Sequence, residues 1–202
     1  MKKVSQHKIW YLVLTVFSLF SCSEKIISPE ETPEPETAME DTVKFDDRPK
    51  RYAAGIEAMS MRDYPDAQRI FSEFVRNNPE MAGAYTNLAL IHFQKQEYDE
   101  ALKLANRAID LNNRQPQAYN LRAQLMILNG KILEARDDYR KAIESNPDYA
   151  NAQYNLALLY DVYLQDVKLA LAHYEIYMSL IKQPDEATRD WVEHLKRTLN
   201  NG

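Results

Sequence analysis

Histidine, cysteine and acidic side chains are the residues here that could carry chemistry, but their spacing matches none of the common sites. The histidines His7, His92, His173 and His194 fall in separate segments, without an HExxH motif or a neighbouring cysteine. Because zinc sites need closely spaced ligands, the sequence predicts no metal site. Since GxSxG motifs and glycine-rich phosphate loops are also absent, we expect no catalytic residue, no cofactor and no small-molecule substrate.

Two pairs of adjacent acids, Asp46-Asp47 and Asp137-Asp138, remain as candidates for acid–base catalysis. The first pair lies in a polar, proline-containing stretch, and the second lies on a predicted helix surface. Catalytic carboxylates usually need an environment that perturbs their pKa, which a solvated surface does not provide. The sequence therefore predicts a protein that is not an enzyme.

The single cysteine, Cys22, follows a leader at the start of the chain. Lys2, Lys3 and Lys8 precede an apolar stretch over residues 9–20. This stretch is too short to cross a hydrocarbon core of roughly 30 Å, so it indicates a signal peptide over residues 1–21.

The end of this leader, Leu19-Phe20-Ser21-Cys22, resembles the lipobox of bacterial lipoproteins. The resemblance implies cleavage before Cys22, acylation of that residue and attachment to a membrane through the lipid. Because Asp after the cysteine would signal inner-membrane retention, Ser23 implies the periplasmic face of the outer membrane. The alternatives are a signal peptide that merely ends in cysteine, which would leave an unpaired thiol in a secreted protein, and an uncleaved anchor.

Residues 22–47 are predicted to be an acidic, disordered linker behind the acylated cysteine. They contain nine acidic residues, two lysines and three prolines, and they lack the apolar periodicity that a packed element needs. A self-repelling spacer is favoured over an acidic recognition tail. Since the whole chain carries a net charge of −5, it offers no basic surface for nucleic acid.

The remainder of the chain repeats with a period of 34 residues. Small residues recur in four ladders: Ala67, Ala101, Ala135 and, one residue late, Ala170; Gly55, Ala89, Ala123 and Ala157; Ala84, Ala118 and Ala152; Ala108 and Ala142. Paired antiparallel helices approach closely only where their side chains are small. The ladders therefore predict a series of helical hairpins, the fourth with one extra residue near its turn.

This pattern resembles the tetratricopeptide repeat, whose period, small residues and terminal prolines fall at the same places. The resemblance implies an all-α solenoid of four helix-turn-helix repeats over residues 48–183. Their predicted bounds are 48–81, 82–115, 116–149 and 150–183. Tyr64, Tyr98, Tyr139 and Tyr174 fall where such repeats place core aromatic residues.

A C-terminal capping helix is predicted over residues 184–202. Pro184 suits a first helical turn, and an open solenoid end needs a cover to keep its core from water. The predicted covering face consists of Ala187, Trp191, Val192, Leu195 and Leu199.

The first helices of such repeats line a concave face, where peptides or helices of partner proteins bind. The candidate residues there are Tyr52, Ile56, Met59, Asn87, Leu90, Phe93, Asn120, Gln124, Ile127, Tyr154, Asn155 and Leu158. Individual members could instead be core between helices, or be covered by a neighbouring segment. Some family members capture a carboxyl terminus through basic residues, but Tyr52, Gln117 and Leu121 fill those places here, which disfavours that role.

These features predict an outer-membrane lipoprotein that acts as a non-enzymatic scaffold for another envelope protein. The combination of lipobox and repeats resembles the pilotin-type lipoproteins of type IV pilus assembly. An adaptor for peptidoglycan hydrolases or synthases is the alternative scaffold. An envelope enzyme or solute-binding lipoprotein is the competing class, and the absence of a site motif argues against it.

Overall fold

A computed structural model describes residues 47–200; the leader, Cys22 and nearly all of the linker lie outside this range. The helices are α1 (Arg48–Ser60), α2 (Tyr64–Asn77), α3 (Ala82–Gln94), α4 (Tyr98–Leu111), α5 (Pro116–Leu128), α6 (Ile132–Ser145), α7 (Ala150–Leu159), a π-helix (Tyr160–Leu164), α8 (Val167–Leu180) and α9 (Glu186–Asn200). Within residues 47–200 there is no β-strand. Helices α1 to α8 pack in consecutive pairs, which confirms the predicted all-α solenoid with a C-terminal helix.

The ladders that begin at Gly55 and Ala67 lie where the two helices of a hairpin meet, and the ladders that begin at Ala84 and Ala108 lie between neighbouring hairpins. Ala67, Ala101, Ala135 and Ala170 are all fully buried. At Gly55, a Cβ atom would lie 2.8 Å from Cζ of Phe71, which is closer than van der Waals contact. The ladders therefore set how closely α1 approaches α2 and how closely the later pairs approach each other.

Each hairpin turns through one residue in the left-handed conformation. These residues are Arg62, Gln96, Gly130 and Gln165. In the first turn, the Asp63 N–H then donates to the Ala58 carbonyl at 2.8 Å, which is the closing bond of a Schellman motif. Arginine and glutamine have a higher conformational free energy than glycine in this left-handed conformation. The packing of the hairpins must offset that difference.

The fourth hairpin contains the extra residue that the sequence predicts. Its left-handed residue, Gln165, follows Gly130 by 35 positions instead of 34. Its closing bond runs from the Asp166 N–H to the Tyr160 carbonyl at 2.9 Å and spans one residue more than the bond from Asp63 to Ala58. The π-helix therefore absorbs the insertion and keeps α8 in register with the earlier second helices.

Helix α9 covers the last hairpin, but through only two residues of the predicted face. Val192 and Leu195 join the buried cluster of Ala157, Ala170, Leu171 and Tyr174. Ala187, Trp191 and Leu199 are exposed instead. Trp191 keeps 37% of its surface exposed because its indole N–H lies at the rim, where it donates to Oδ2 of Asp161 at 2.6 Å. The large side chains that close the core of this cap are therefore Val192 and Leu195.

The four tyrosines predicted to be core do not share one environment. Tyr139 and Tyr174 are buried, and Tyr64 is half-buried. Tyr98 is 39% exposed, and its ring packs against Phe93 at a centroid distance of 5.7 Å. Since Tyr98 is the first residue of α4, no helix turn precedes it to cover its outer side.

Candidate functional site

The first helices of the hairpins lie on the inner side of the solenoid. Helix α3 contacts α5, and α5 contacts α7, in addition to the contacts that each makes with its own second helix. Among the described residues, successive second helices make no contacts of comparable extent. We call the surface formed by α1, α3, α5 and α7 the concave face.

Two amide hydrogen bonds connect neighbouring first helices across this face. Nδ2 of Asn87 donates to the Tyr52 hydroxyl at 2.8 Å, and Nδ2 of Asn155 donates to Oδ1 of Asn120 at 2.9 Å. Because a buried amide needs such a partner, these bonds stabilise the stacking of the hairpins. Asn87 and Asn120 are buried. Their amide groups therefore hold the inner helices together and are not exposed to a binding partner.

Tyr52 packs beneath the first of these bonds. Its ring makes edge-on contacts with Phe71 and Phe74, each at a centroid distance of 5.3 Å. Burial raises the pKa of its hydroxyl above the ordinary value, although the hydrogen bond from Asn87 lowers it in part. The hydroxyl thus stays neutral at physiological pH and can accept that bond.

The other predicted binding residues form an apolar, partly open strip. Ile56 is 45% exposed. The half-buried members are Met59, Leu90, Phe93, Gln124, Ile127, Tyr154, Asn155 and Leu158. Leu90 and Phe93 pack with one side against the cluster that contains Ala101 and Leu121. Their remaining surface faces solvent, so they could bind a partner, which stays a prediction.

Charged side chains are nearly absent from the inner helices of the second, third and fourth hairpins. Helices α3 and α7 contain no Lys, Arg, Asp or Glu, and α5 contains only Arg122. The charges of these hairpins lie instead on the second helices. A surface of this kind binds through apolar contact and amide hydrogen bonds, with little dependence on salt.

Arg122 belongs to a buried ion pair below this surface, which corrects the prediction that Asp138 is a solvated residue. Its guanidinium donates from Nε to Oδ2 of Asp138 at 2.6 Å and from a second nitrogen to Oδ1 at 2.8 Å. A third nitrogen donates to Oδ1 of Asn106 at 2.9 Å, and the charge lies 5.4 Å from the Tyr119 ring centroid. The hydrogen bonds to Asp138 raise the pKa of Arg122. The ion pair therefore joins α5 to α6, and the bond to Asn106 links the third hairpin to the second.

The sequence pattern also places on the concave face residues that the prediction omitted. Leu128 and Val162 are 34 positions apart and are among the most exposed large apolar side chains of the described region. Asp161 follows Ile127 by the same interval. Extending the 34-residue period from Phe93 and Ile127 into the fourth repeat would have identified Asp161, and extending it from Leu128 would have identified Val162.

No group of three or more potential metal ligands lies together within residues 47–200. Over the same range, no helix combines the length and apolar character that crossing a bilayer requires.

Comparison with known protein families gives two adjacent matches. The description "Tetratricopeptide repeat" matches residues 52–119, and the description "TPR repeat" matches residues 127–161.

Among curated proteins, a similar sequence is the small glutamine-rich tetratricopeptide repeat-containing protein 2 of Saccharomyces cerevisiae. It is 28% identical over 136 residues, which are 67% of this chain and 37% of that protein. Serine/threonine-protein phosphatase 5 of Mus musculus is 29% identical over 61% of this chain and 24% of its own length. The chain thus spans well under half of these relatives.

Solved structures share the fold at low sequence identity. Yeast Tom70 superposes with a TM-score of 0.65 at 22% identity, covering 77% of this chain and 34% of that one. TTC0263, a thermophilic TPR protein of Thermus thermophilus, gives a TM-score of 0.62 at 18% identity and covers 75% and 82% of the two chains. The first TPR of Spaghetti, bound to the HSP90 peptide SRMEEVD, gives 0.53 at 21% identity and covers 58% and 95%.

Proposed function

We propose, for a chain that belongs to the tetratricopeptide repeat family, that the concave face binds a segment of another cell-envelope protein. The repeats make the chain a protein–protein interaction scaffold. The observation that carries the proposal is the apolar strip on three inner helices that are almost free of charge. Such a strip can desolvate the apolar side of a helix or the side chains of an extended segment.

The peptide in a solved neighbour supports a peptide-like partner but not the same peptide. The first TPR of Spaghetti was solved with an acidic HSP90 peptide. In the present chain, Tyr52, Gln117 and Leu121 stand at the places where basic residues would capture a carboxylate. We therefore propose an uncharged or apolar contact region in the partner for most of the face.

The location of the scaffold is proposed from the sequence of the leader. A lipid on Cys22 would hold the repeats at the periplasmic face of the outer membrane, and the acidic linker would separate them from the lipid surface. Within the envelope, we propose a role in type IV pilus biogenesis, by resemblance to pilotin-type lipoproteins. An adaptor role for peptidoglycan hydrolases or synthases is the alternative, and the identity of the captured partner separates the two.

Phe93→Ala tests whether the concave face binds the partner. We expect the variant to lose about 2 kcal/mol of binding free energy, because a half-buried aromatic ring on a binding surface becomes fully desolvated in a complex. Quantitative pull-down from envelope extract, with mass spectrometry of the captured proteins, measures the loss. Circular dichroism shows whether the repeats remain folded.

Leu133→Ala is the matched control, since Leu133 is a similarly apolar, exposed residue at the start of α6, outside the inner helices. The control should capture the same proteins as the natural chain. A folded Phe93→Ala variant that captures them equally well would remove the concave face as the binding site.

A further inference from the structure

One row of the concave face changes character in the fourth repeat. This row consists of residues spaced by 34 positions, one in each repeat: Met59, Phe93, Ile127 and Asp161. Three of these side chains are apolar, and the fourth is a carboxylate. Since α3 and α7 carry no Lys, Arg, Asp or Glu, Asp161 stands at the end of a long surface that lacks these charged residues.

The structure holds this carboxylate in a fixed orientation. Its Oδ2 accepts from the indole N–H of Trp191 at 2.6 Å and from the Tyr174 hydroxyl at 3.4 Å. Within residues 47–200, Oδ1 accepts no hydrogen bond, and no Lys, Arg or His forms an ion pair with Asp161. The residue is only half-buried, so an outside cation can reach that free oxygen.

An aromatic surface adjoins the carboxylate. The Trp191 ring, which donates to Asp161, is partly exposed, and His194 stacks on it at a centroid distance of 5.2 Å. Cations are attracted to the faces of aromatic rings, and a guanidinium can stack on a ring while it donates to a carboxylate. A carboxylate with one free oxygen beside an exposed indole therefore matches a basic side chain by charge and by shape.

We propose that Asp161 and Trp191 bind an arginine side chain of the partner segment whose apolar residues occupy the remainder of the concave face. This inference rests on the proposed function, because it places the arginine in the same segment. The occupant is thus a stretch of apolar residues that ends in a basic one. The long uncharged surface supplies affinity, and the single carboxylate sets direction and register.

Trp191 provides a direct readout of this site. The chain contains two tryptophans, Trp10 and Trp191, so the full chain with Trp10→Phe reports on Trp191 alone. The probes are short synthetic peptides of Leu, Ala and Asn, acetylated and amidated to remove terminal charges. Each has one arginine, moved through the positions in turn, and each has a counterpart in which neutral citrulline replaces the arginine.

We expect the best arginine peptide to change the Trp191 emission saturably and to bind about tenfold more tightly than its citrulline counterpart, because a charge-assisted hydrogen bond is lost in the latter. Asp161→Asn keeps an acceptor for the indole N–H but removes the charge. It should reduce the arginine preference to about twofold or less. Glu144→Gln, which removes an exposed charge from α6, should leave the preference unchanged.

The outcomes separate this inference from the proposed function. If arginine and citrulline peptides bind equally and Phe93→Ala weakens both, the concave face binds peptides and the arginine site is wrong. If Asp161→Asn retains the full preference, another group reads the arginine and the assignment to Asp161 is overturned. If no peptide of the set binds, both proposals fail for this class of partner.

Discussion

Arg122→Leu is expected to lower the free energy of unfolding by about 3–5 kcal/mol, because it leaves the Asp138 carboxylate without its cation in a buried position. The Asp138 side chain is only 4% exposed, so water cannot replace the lost partner. Urea denaturation followed by circular dichroism measures the change. The effect should spread across the second and third hairpins, since Arg122 also bonds Asn106.

A double replacement distinguishes an ion pair from simple packing. Arg122→Leu combined with Asp138→Leu should recover most of the stability, since apolar side chains of similar size often replace a buried pair without loss. Arg136→Ala breaks the adjacent, exposed pair with Asp137 and should cost no more than about 1 kcal/mol. A single Arg122→Leu variant as stable as Arg136→Ala would contradict the buried-pair interpretation.

The second large effect concerns membrane attachment. Cys22→Ser should abolish lipid labelling and move exported protein from the membrane fraction to the soluble fraction, because two or more acyl chains provide stable anchoring and no helix within residues 47–200 is long and apolar enough to cross a bilayer. Metabolic labelling with a fatty-acid analogue, followed by cell fractionation, tests both parts. Unchanged membrane attachment of Cys22→Ser would exclude the lipid anchor.

Ser23→Asp is the matched variant, because it keeps the cysteine and changes only the residue that follows. By analogy with bacterial lipoproteins, it should remain lipidated and shift from the outer to the inner membrane. Density-gradient separation of the two membranes distinguishes this shift from a loss of lipidation.

The hairpins could be predicted from the sequence because their packing has a local, repeated cause. Ala101 and Ala135 are small for the same reason in each hairpin, so the period itself reports the helix contacts. The extra residue before Gln165 was also visible as a change of spacing. The π-helix that absorbs it was not, because that outcome depends on how α8 must pack.

The burial of individual side chains could not be predicted from the sequence, because it depends on contacts between distant helices. Asp137 and Asp138 are adjacent acids in the sequence, yet one is exposed and the other is buried against Arg122. Trp191 and Val192 are adjacent on α9, and a polar atom in the Trp191 indole decided which of them lies at the rim. The hydrophobic pattern predicts the same burial for the two members of each pair. Their burial differs in the structure because Asp138 and Trp191 form hydrogen bonds with residues of other helices.

The inner helices, rather than the outer ones, are expected to contact the partner protein. Site-specific photocrosslinking in intact cells tests this expectation without extraction. A benzoylphenylalanine residue at Ile56 or at Gln124 probes the concave face, and one at Lys103, exposed on α4, is the matched outer control. Circular dichroism of each variant verifies that the repeats remain folded.

We predict that Ile56 and Gln124 yield an adduct with the same envelope protein, that Lys103 yields none with it, and that adding Phe93→Ala weakens both inner adducts. Crosslinks to that protein from Lys103, with none from Ile56 or Gln124 in folded variants, would place the partner on the outer helices and refute binding at the concave face.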